Sequence, residues 1–470
     1  MLPKDSLNWI SGIERKLKRT DLKFAGVHVW PVARNTIMLL ALAFDKTSWP
    51  RKKRDSSIIR FFKSLRGLIL VRPSPVFFLT DAKYSHHING ETHLKDVDSV
   101  CVLGQDGTAS VLLGLQDLPE QGKRLPHRSS VSVYAITVVS AFISRAYVLT
   151  RLDKGLNSFI DELGELIAAD PRSPTEVNTV LIEKVIRKNV LFTVTASHLL
   201  SLLLRRVNPE KCYIHCYYSL LGMALCSACH RAGIPIADVQ HGISGRNMRA
   251  YAGWSRVPAR GYNTLPNEFM CWTRYDERAI AEWLESLESG PSVVNTGQLW
   301  LEEFRQSGLR ELALAEWEGF FGSLAPGALR VVVTLQSPRL GADIQRLLEQ
   351  GNGDYVFLIR AHPDIASNKL PEELSTLETR FRNVYIDAPS RMPIPVLMEK
   401  CDVNVTEWSA SVYDALFAGI PSIVTSEAGR DYFEDLIEEG VVTFAPSGEK
   451  LQERLEELLS RQQSSGFSPE

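Results

Sequence analysis

Val403-Asn404-Val405-Thr406-Glu407-Trp408-Ser409-Ala410-Ser411-Val412-Tyr413-Asp414-Ala415-Leu416-Phe417-Ala418-Gly419-Ile420-Pro421-Ser422-Ile423-Val424 is the stretch whose reading decides the fold. The pattern predicts a strand over 403–406, a helix over 410–418 and a second strand over 422–424. Gly419 and Pro421 mark where the helix stops, one by accepting a left-handed turn and the other by being unable to continue it. Two strands joined through a helix run parallel, because the crossover returns the chain to the same edge.

The same alternation extends outward in both directions. Leu-Arg-Val-Val-Val-Thr-Leu over 329–335 reads as a strand buried on both faces. Strands are predicted over 355–360 and 384–386, with helices over 311–324, 342–349 and 393–400. A helix over 450–459 and a frayed tail over 462–470 follow. Upstream, strands over 212–216, 234–239, 268–272 and 292–296 alternate with helices over 220–232 and 276–287. The region before residue 150 is less regular, with a strand over 75–80 and an extended piece running into an apolar helix over 23–42. Residues 155–205 read as mostly helical. Alternation of this kind implies an α/β protein with doubly wound parallel sheets. The division expected is an N-terminal domain over 1–296, a second over 297–450, and a C-terminal helix and tail over 451–470.

Composition narrows the function classes. The chain has 470 residues with 44% hydrophobic and 23% charged content, and its formal net charge is −2. It lacks the overall basic excess of a dedicated nucleic-acid binder, so no nucleic-acid partner is expected. Met1 to Arg19 is charged throughout, unlike a secretory signal. The apolar stretch 36–44 is too short to span a bilayer, and 131–150 is interrupted by Arg145 and serines. A cytoplasmic location follows, with a peripheral contact to the inner face of the membrane left open. That contact would use Arg51-Lys52-Lys53-Arg54 and Arg60, Lys63 and Arg66, interleaved with Ile58, Ile59, Phe61, Phe62 and Leu65. A solvated helix face would show the same residues. Seven cysteines, an odd number, point to a reducing compartment. Cys212, Cys216, Cys226 and Cys229 have a loosely zinc-like spacing, but they fall on a strand end and a helix, where thiols serve as small buried hydrophobes. No metal site is expected.

Four constellations lie at predicted carboxyl ends of strands, where α/β proteins place ligand loops. The first is the helix start after Thr406. Its first-turn amides are expected to be open, Ser409 and Ser411 can cap the helix or hold a phosphate, and Asp414 sits one turn inside, near a ribose or sugar hydroxyl. An ordinary N-capped helix has the same pattern. The second is Arg360-Ala361-His362-Pro363-Asp364, where a cation and an imidazole suit a phosphate leaving group. Gln336-Ser337-Pro338-Arg339 is a third and weaker phosphate candidate. In the N-terminal domain, Asp238-Val239-Gln240-His241-Gly242 places a histidine at a strand end, followed by a glycine expected to allow a sharp turn. His241 is the candidate general base and Asp238 the second, because an imidazole titrates near working pH. A backbone-bonded loop histidine is the plainer alternative. The basic and aromatic run 246–260 is expected to be a mobile loop that meets an acidic or lipid-linked acceptor.

Taken together, Gln240-His241-Gly242, His362-Pro363, Ser409, Ser411, Asp414-Ala415 and Gly419-x-Pro421 resemble bacterial glycosyltransferases of the GT-B fold. The resemblance is to enzymes that build capsule or O-antigen (lipopolysaccharide) polysaccharide, polysialyltransferase-like or Kdo-transferase-like. It covers about residues 330–425, with a looser likeness at Gly26-Val27-His28-Val29-Trp30-Pro31-Val32-Ala33-Arg34. It implies two Rossmann-like domains facing across a cleft and metal-independent transfer without a cofactor. The co-substrate implied is a nucleotide-sugar, with a CMP-sugar as the candidate, and the acceptor an oligosaccharide or a lipid-linked glycan. Catalysis would fall to His241 or Asp238, and donor binding to Gln336, Ser337, Arg360, His362, Ser409, Ser411 and Asp414. The chain departs from the pattern in lacking a paired acidic motif followed by glycine in the N-terminal domain. Glu438-Glu439-Gly440 lies in the other domain, which leaves Asp81 and Glu268 as further candidates for the base. A sugar-nucleotide epimerase or hydrolase, or a non-catalytic assembly or export component, would suit the same fold.

Overall fold

The computed structural model describes residues 1–41, 58–80, 85–94, 97, 111–115, 129–147, 154–173, 179–285, 287–349, 353–362 and 370–465. Arg51 to Arg54, Asp81, Pro363, Asp364 and the tail from residue 466 lie outside them. Two parallel sheets form the frame. The first has seven strands: β1 (Val76–Thr80), β2 (Val111–Leu115), β3 (Ser129–Ser132), β4 (Lys211–Ile214), β5 (Ile236–Val239), β6 (Glu268–Cys271) and β7 (Ser292–Asn295). Their order is β7-β6-β5-β4-β1-β2-β3, and every pairing is parallel.

The second sheet has six strands: β8 (Leu329–Thr334), β9 (Tyr355–Arg360), β10 (Val384–Tyr385), β11 (Val403–Thr406), β12 (Ser422–Val424) and β13 (Val442–Phe444). Their order is β10-β9-β8-β11-β12-β13, again all parallel. The α/β class and the two Rossmann-like domains expected from the alternation are therefore present. β8 and β9 show why: almost every residue is buried, as strands covered by helices on both faces must be.

In each sheet the chain winds outward and then reverses. From β8 it moves through β9 to β10, returns to β11 on the other side of β8, and continues outward. The gap between the carboxyl ends of β8 and β11 is thus a topological switch point, and that between β1 and β4 is its counterpart. Such gaps are open crevices, because the connections leave in opposite directions.

Two elements differ from expectation in instructive ways. The helix after β6 spans Arg274–Leu284, starting earlier than predicted because the Thr273 side chain accepts from the Asp276 amide and caps it. Pro3–Lys16 is a helix that its many charges concealed, although Leu7, Ile10 and Ile13 lie buried along one side. Thr179–Val207 is, among the described residues, the one helix long and apolar enough to cross a membrane. The helices Val29–Ala41, Tyr134–Tyr147, Lys154–Ala169 and Leu220–Ala232 pack around it, so it serves as a core helix. The last helix, Gly448–Ser465, inserts Leu451 and Leu455 among the side chains of β8 and β9.

The two domains meet in an apolar cluster. Trp272 and Tyr275 from the first pack with Val412, Tyr413 and Phe433 from the second. Ion pairs ring it, including Arg246 with Asp435 at 2.7 Å and Arg274 with Glu439 at 2.6 Å. Such rim pairs add little stability singly and chiefly fix orientation.

Candidate functional site

At the switch point of the second sheet, four hydroxyl side chains form a connected group. Thr406, the last residue of β11, donates to the carbonyl of Thr334, the last residue of β8, at 2.8 Å. Thr334 Oγ1 meets Ser411 Oγ at 2.6 Å. The Ser409 amide donates to Thr406 Oγ1 at 3.1 Å, and the Ser411 amide to Ser409 Oγ at 3.2 Å. Thr334, Thr406, Ser409 and Ser411 are all buried. The sequence therefore brings Ser409 and Ser411 onto the crevice, but the amides expected to be open are occupied. The helix begins at Ser411, with helical Ala410 before it. Val412 and Tyr413 donate back to the carbonyls of Ser409 and Ala410 at 3.3 and 3.0 Å. Ser409 closes this turn on itself, so an anion would be met by side chains rather than by a row of amides.

Arg360 ends β9, beside this crevice. Its guanidinium donates to the carbonyls of Pro389, at 2.7 Å, and Met392. Burial lowers its pKa to about 10, against the opposing pull of Asp414, and it remains a cation at neutral pH. Asp414 Oδ1 in turn accepts from Gln298 Nε2 at 3.0 Å. Both residues, read from sequence as reaching ligand groups, have partners within the protein: Arg360 braces the segment 389–392, and Asp414 ties its helix to Gln298. His362 follows, half-buried. In the loop after β8, Gln336 and Ser337 are half-buried and Arg339 is exposed, while Ser337 Oγ donates to the Arg339 carbonyl at 2.9 Å.

Glu407 was not singled out in the sequence, although an acidic residue directly after a strand end was a signal. Its carboxylate reaches across the crevice to the loop after β8, where a Cβ on Gly341 would lie 3.0 Å from Oε1. Burial pushes its pKa up. Gly429 braces the same segment, since a Cβ there would stand only 2.1 Å from the Glu407 carbonyl oxygen.

The first sheet places a second cluster at its own switch point. His215 follows β4 directly, and its amide donates to the carbonyl of Leu79 in β1 at 3.1 Å. His241 follows β5, with its ring 4.2 Å from that of His215 and stacked at 5.8 Å on Tyr218. The Tyr218 hydroxyl lies 3.2 Å from His241 Nε2. Sequence reasoning did not pick out His215 as a site residue. Its position one residue past a strand was the signal that pairs it with His241.

The other base candidates have different surroundings. Asp238 is buried, accepting from the Tyr217 amide at 2.9 Å and the Tyr251 hydroxyl at 2.8 Å, which makes it an anchor for two segments. Glu268 begins β6, at the sheet edge opposite His241, and pairs with Lys211 at 3.1 Å. Gly242 has no left-handed backbone. The turn is shaped instead by Gln240, whose Nε2 donates to the Gly242 carbonyl at 2.8 Å while Oε1 accepts from the Trp272 amide at 2.6 Å. Added atoms at Gly242 would meet nothing within 4 Å, so it faces open space.

The 246–260 segment, expected to be a mobile loop, is clamped. Arg34 donates to the carbonyls of Arg249, Ala252 and Gly253, and Glu14 accepts from Ser255 at 2.7 Å. Tyr251 and Trp254 are buried. The early Gly26–Arg34 motif is thus the inner wall of this clamp. Among the described residues, no group of three or more His, Cys, Asp and Glu side chains is arranged to hold a metal ion. Cys226 and Cys229 are buried, and desolvation holds their thiols protonated.

One carboxylate joins the two clusters' supports. Asp276 is buried and accepts from Ser244 and Tyr413 at 2.8 Å each and from Thr273 at 2.6 Å. Ser244 lies three residues past His241, and Tyr413 two past Ser411. The loop carrying the histidine and the helix carrying the serine are fastened to one point.

No family model matches the chain, and no curated protein matches it by sequence. Solved structures do align with it. A Methanocaldococcus jannaschii UDP-GlcNAc 2-epimerase, in complex with UDP-GlcNAc and UDP, is 11% identical with a TM-score of 0.48, over 82% of this chain and 92% of that one. A Neisseria meningitidis UDP-GlcNAc 2-epimerase bound to UDP-GlcNAc is 13% identical with a TM-score of 0.46, over 82% and 91%. The wall teichoic acid polymerase TagF is 11% identical with a TM-score of 0.45, over 87% and 91%. The fold class itself rests on this chain's two parallel sheets, of seven and six strands.

Proposed function

We propose that the chain is a glycosyltransferase of GT-B type. It transfers a sugar from a nucleotide-sugar at the second sheet's switch point to a surface-polysaccharide or glycolipid acceptor beside His241, on the cytoplasmic side. The observation that supports this reading is that the loop carrying His241 and the helix carrying Ser411 are both fastened to Asp276, the first beside a pair of imidazoles and the second within a group of buried hydroxyls. In the reaction the acceptor oxygen bonds to the anomeric carbon, the bond to the nucleotide phosphate breaks, and the acceptor proton passes to His241. His215 and Tyr218 position that ring. His362, Gln336 and Ser337, backed by Ser409, Ser411 and Arg360, stabilise the negative charge that accumulates on the phosphate. The chemistry needs no cofactor, and a CMP-sugar is the first donor to test.

A thermal-shift screen against CMP, UDP, GDP and their sugars is the direct experiment. A bound donor at 100 times its dissociation constant stabilises by about 2.7 kcal/mol. His362→Ala is expected to keep the fold and lose donor turnover, and His241→Ala to keep nucleotide binding and lose transfer. Nucleotide release at full rate without any acceptor would instead assign an epimerase or hydrolase. Absence of affinity for every nucleotide would assign a non-catalytic assembly or export component.

A further inference from the structure

We propose that the face formed by the helices Ile58–Leu70 and Tyr134–Tyr147 docks onto an anionic lipid bilayer. The first of these touches the protein along one side. Ser64 is buried there, donating to the Ser132 carbonyl at 2.7 Å and accepting from the Ala135 amide at 2.9 Å. The Arg60 guanidinium lies 4.3 Å over the Tyr134 ring. These contacts fix which side of the helix faces outward.

The outward side carries Ile58, Phe62, Leu65 and Ile69, at the four-three-four spacing that aligns residues on one helix face. Ile58 is 74% exposed, Phe62 59% and Ile69 52%. Phe142, on the helix packed beside it, is 73% exposed. Large apolar side chains clustered in water mark a surface that is covered in use. The cations identify the cover. Lys63, Arg66 and Arg145 are exposed on these two helices, and neither helix contains an aspartate or glutamate. A second copy seated on this face through a twofold axis would bring like charges together. An anionic bilayer accepts the apolar stripe into its boundary region and the cations among its headgroups. The surface is separate from both strand-end clusters, so the proposal stands apart from the transferase reading.

The test is co-sedimentation of the full chain with phosphatidylcholine vesicles, with or without roughly a third phosphatidylglycerol, a composition in which surface charge is the variable. Binding is expected to favour the anionic vesicles and to weaken with salt. Phe62→Ser combined with Ile69→Ser should reduce it by more than about tenfold, from the lost apolar burial. Lys63→Gln combined with Arg66→Gln should reduce it by about fivefold per cation. Both double variants change exposed residues and should melt with the wild type, which separates loss of docking from loss of fold. Three results would overturn the proposal: no vesicle binding, equal binding to neutral and anionic vesicles, or a dimer in light scattering that the Phe62 and Ile69 double variant converts to monomer.

Discussion

His28 shows how one buried side chain sets a pH response. Burial pulls its pKa from 6.5 down to about 4, with Lys23 adding to the effect. The folded state therefore holds the ring neutral, while the unfolded chain takes up a proton at higher pH. Stability from this site is full above about pH 6.5 and is lost as pH falls toward 4, by up to roughly 3 kcal/mol. Replacing His28 with Gln should flatten urea-denaturation stability over that interval, and an unchanged slope would show that His28 is not its source. Single residues also mark the limits of sequence reading. Arg360 ends a strand and Asp414 lies in the first turn of the helix after β11, yet what their side chains touch depends on Pro389, Met392 and Gln298, which are distant in sequence. A residue type and a strand end indicate where a charge will be, not which neighbour uses it.

Elements were the most legible scale, and most legible where the apolar period was strong. β9, β11, β12 and the helix Leu220–Ala232 fall where the pattern put them. β3, whose sequence is Ser-Ser-Val-Ser, and the three-residue β13 gave no periodic signal, the first being mostly polar and both too short to show a period. The segment after β11 offers a test at this scale. Gly429→Ala would press a methyl group into the Glu407 carbonyl, so the loop must shift. The expected result is a loss of roughly 1–3 kcal/mol, the usual range for overpacking. Nucleotide affinity should fall with it, and a wild-type melting curve with wild-type affinity would refute the bracing role. Tyr413→Phe probes the next element. It removes a hydrogen bond to a buried carboxylate, worth roughly 1.5–3 kcal/mol.

For the whole molecule, the interdomain contacts predict joint behaviour. Trp272 and Tyr275 bury against Val412, Tyr413 and Phe433, and Asp276 holds hydroxyls from both sides. Calorimetry should therefore show one unfolding transition, which nucleotide raises as a unit. In Tyr413→Phe the domains should begin to separate into two steps. Two steps in the wild type would mean that the contact is too weak to couple them.

The helix Pro3–Lys16 adds a matter of timing. Its Lys4 amide donates to Asp431 and its Lys4 ammonium to Glu434, partners more than four hundred positions further along the chain. At about 5–20 residues per second, a ribosome needs roughly 20 to 90 seconds to supply them. Over that interval the helix has only first-domain surfaces to rest on, and its final seat forms long after its own residues are made. A bulky fusion just ahead of Pro3 would obstruct that late docking step, so its effect should appear in the yield of folded protein before it appears in the stability of molecules that have already folded.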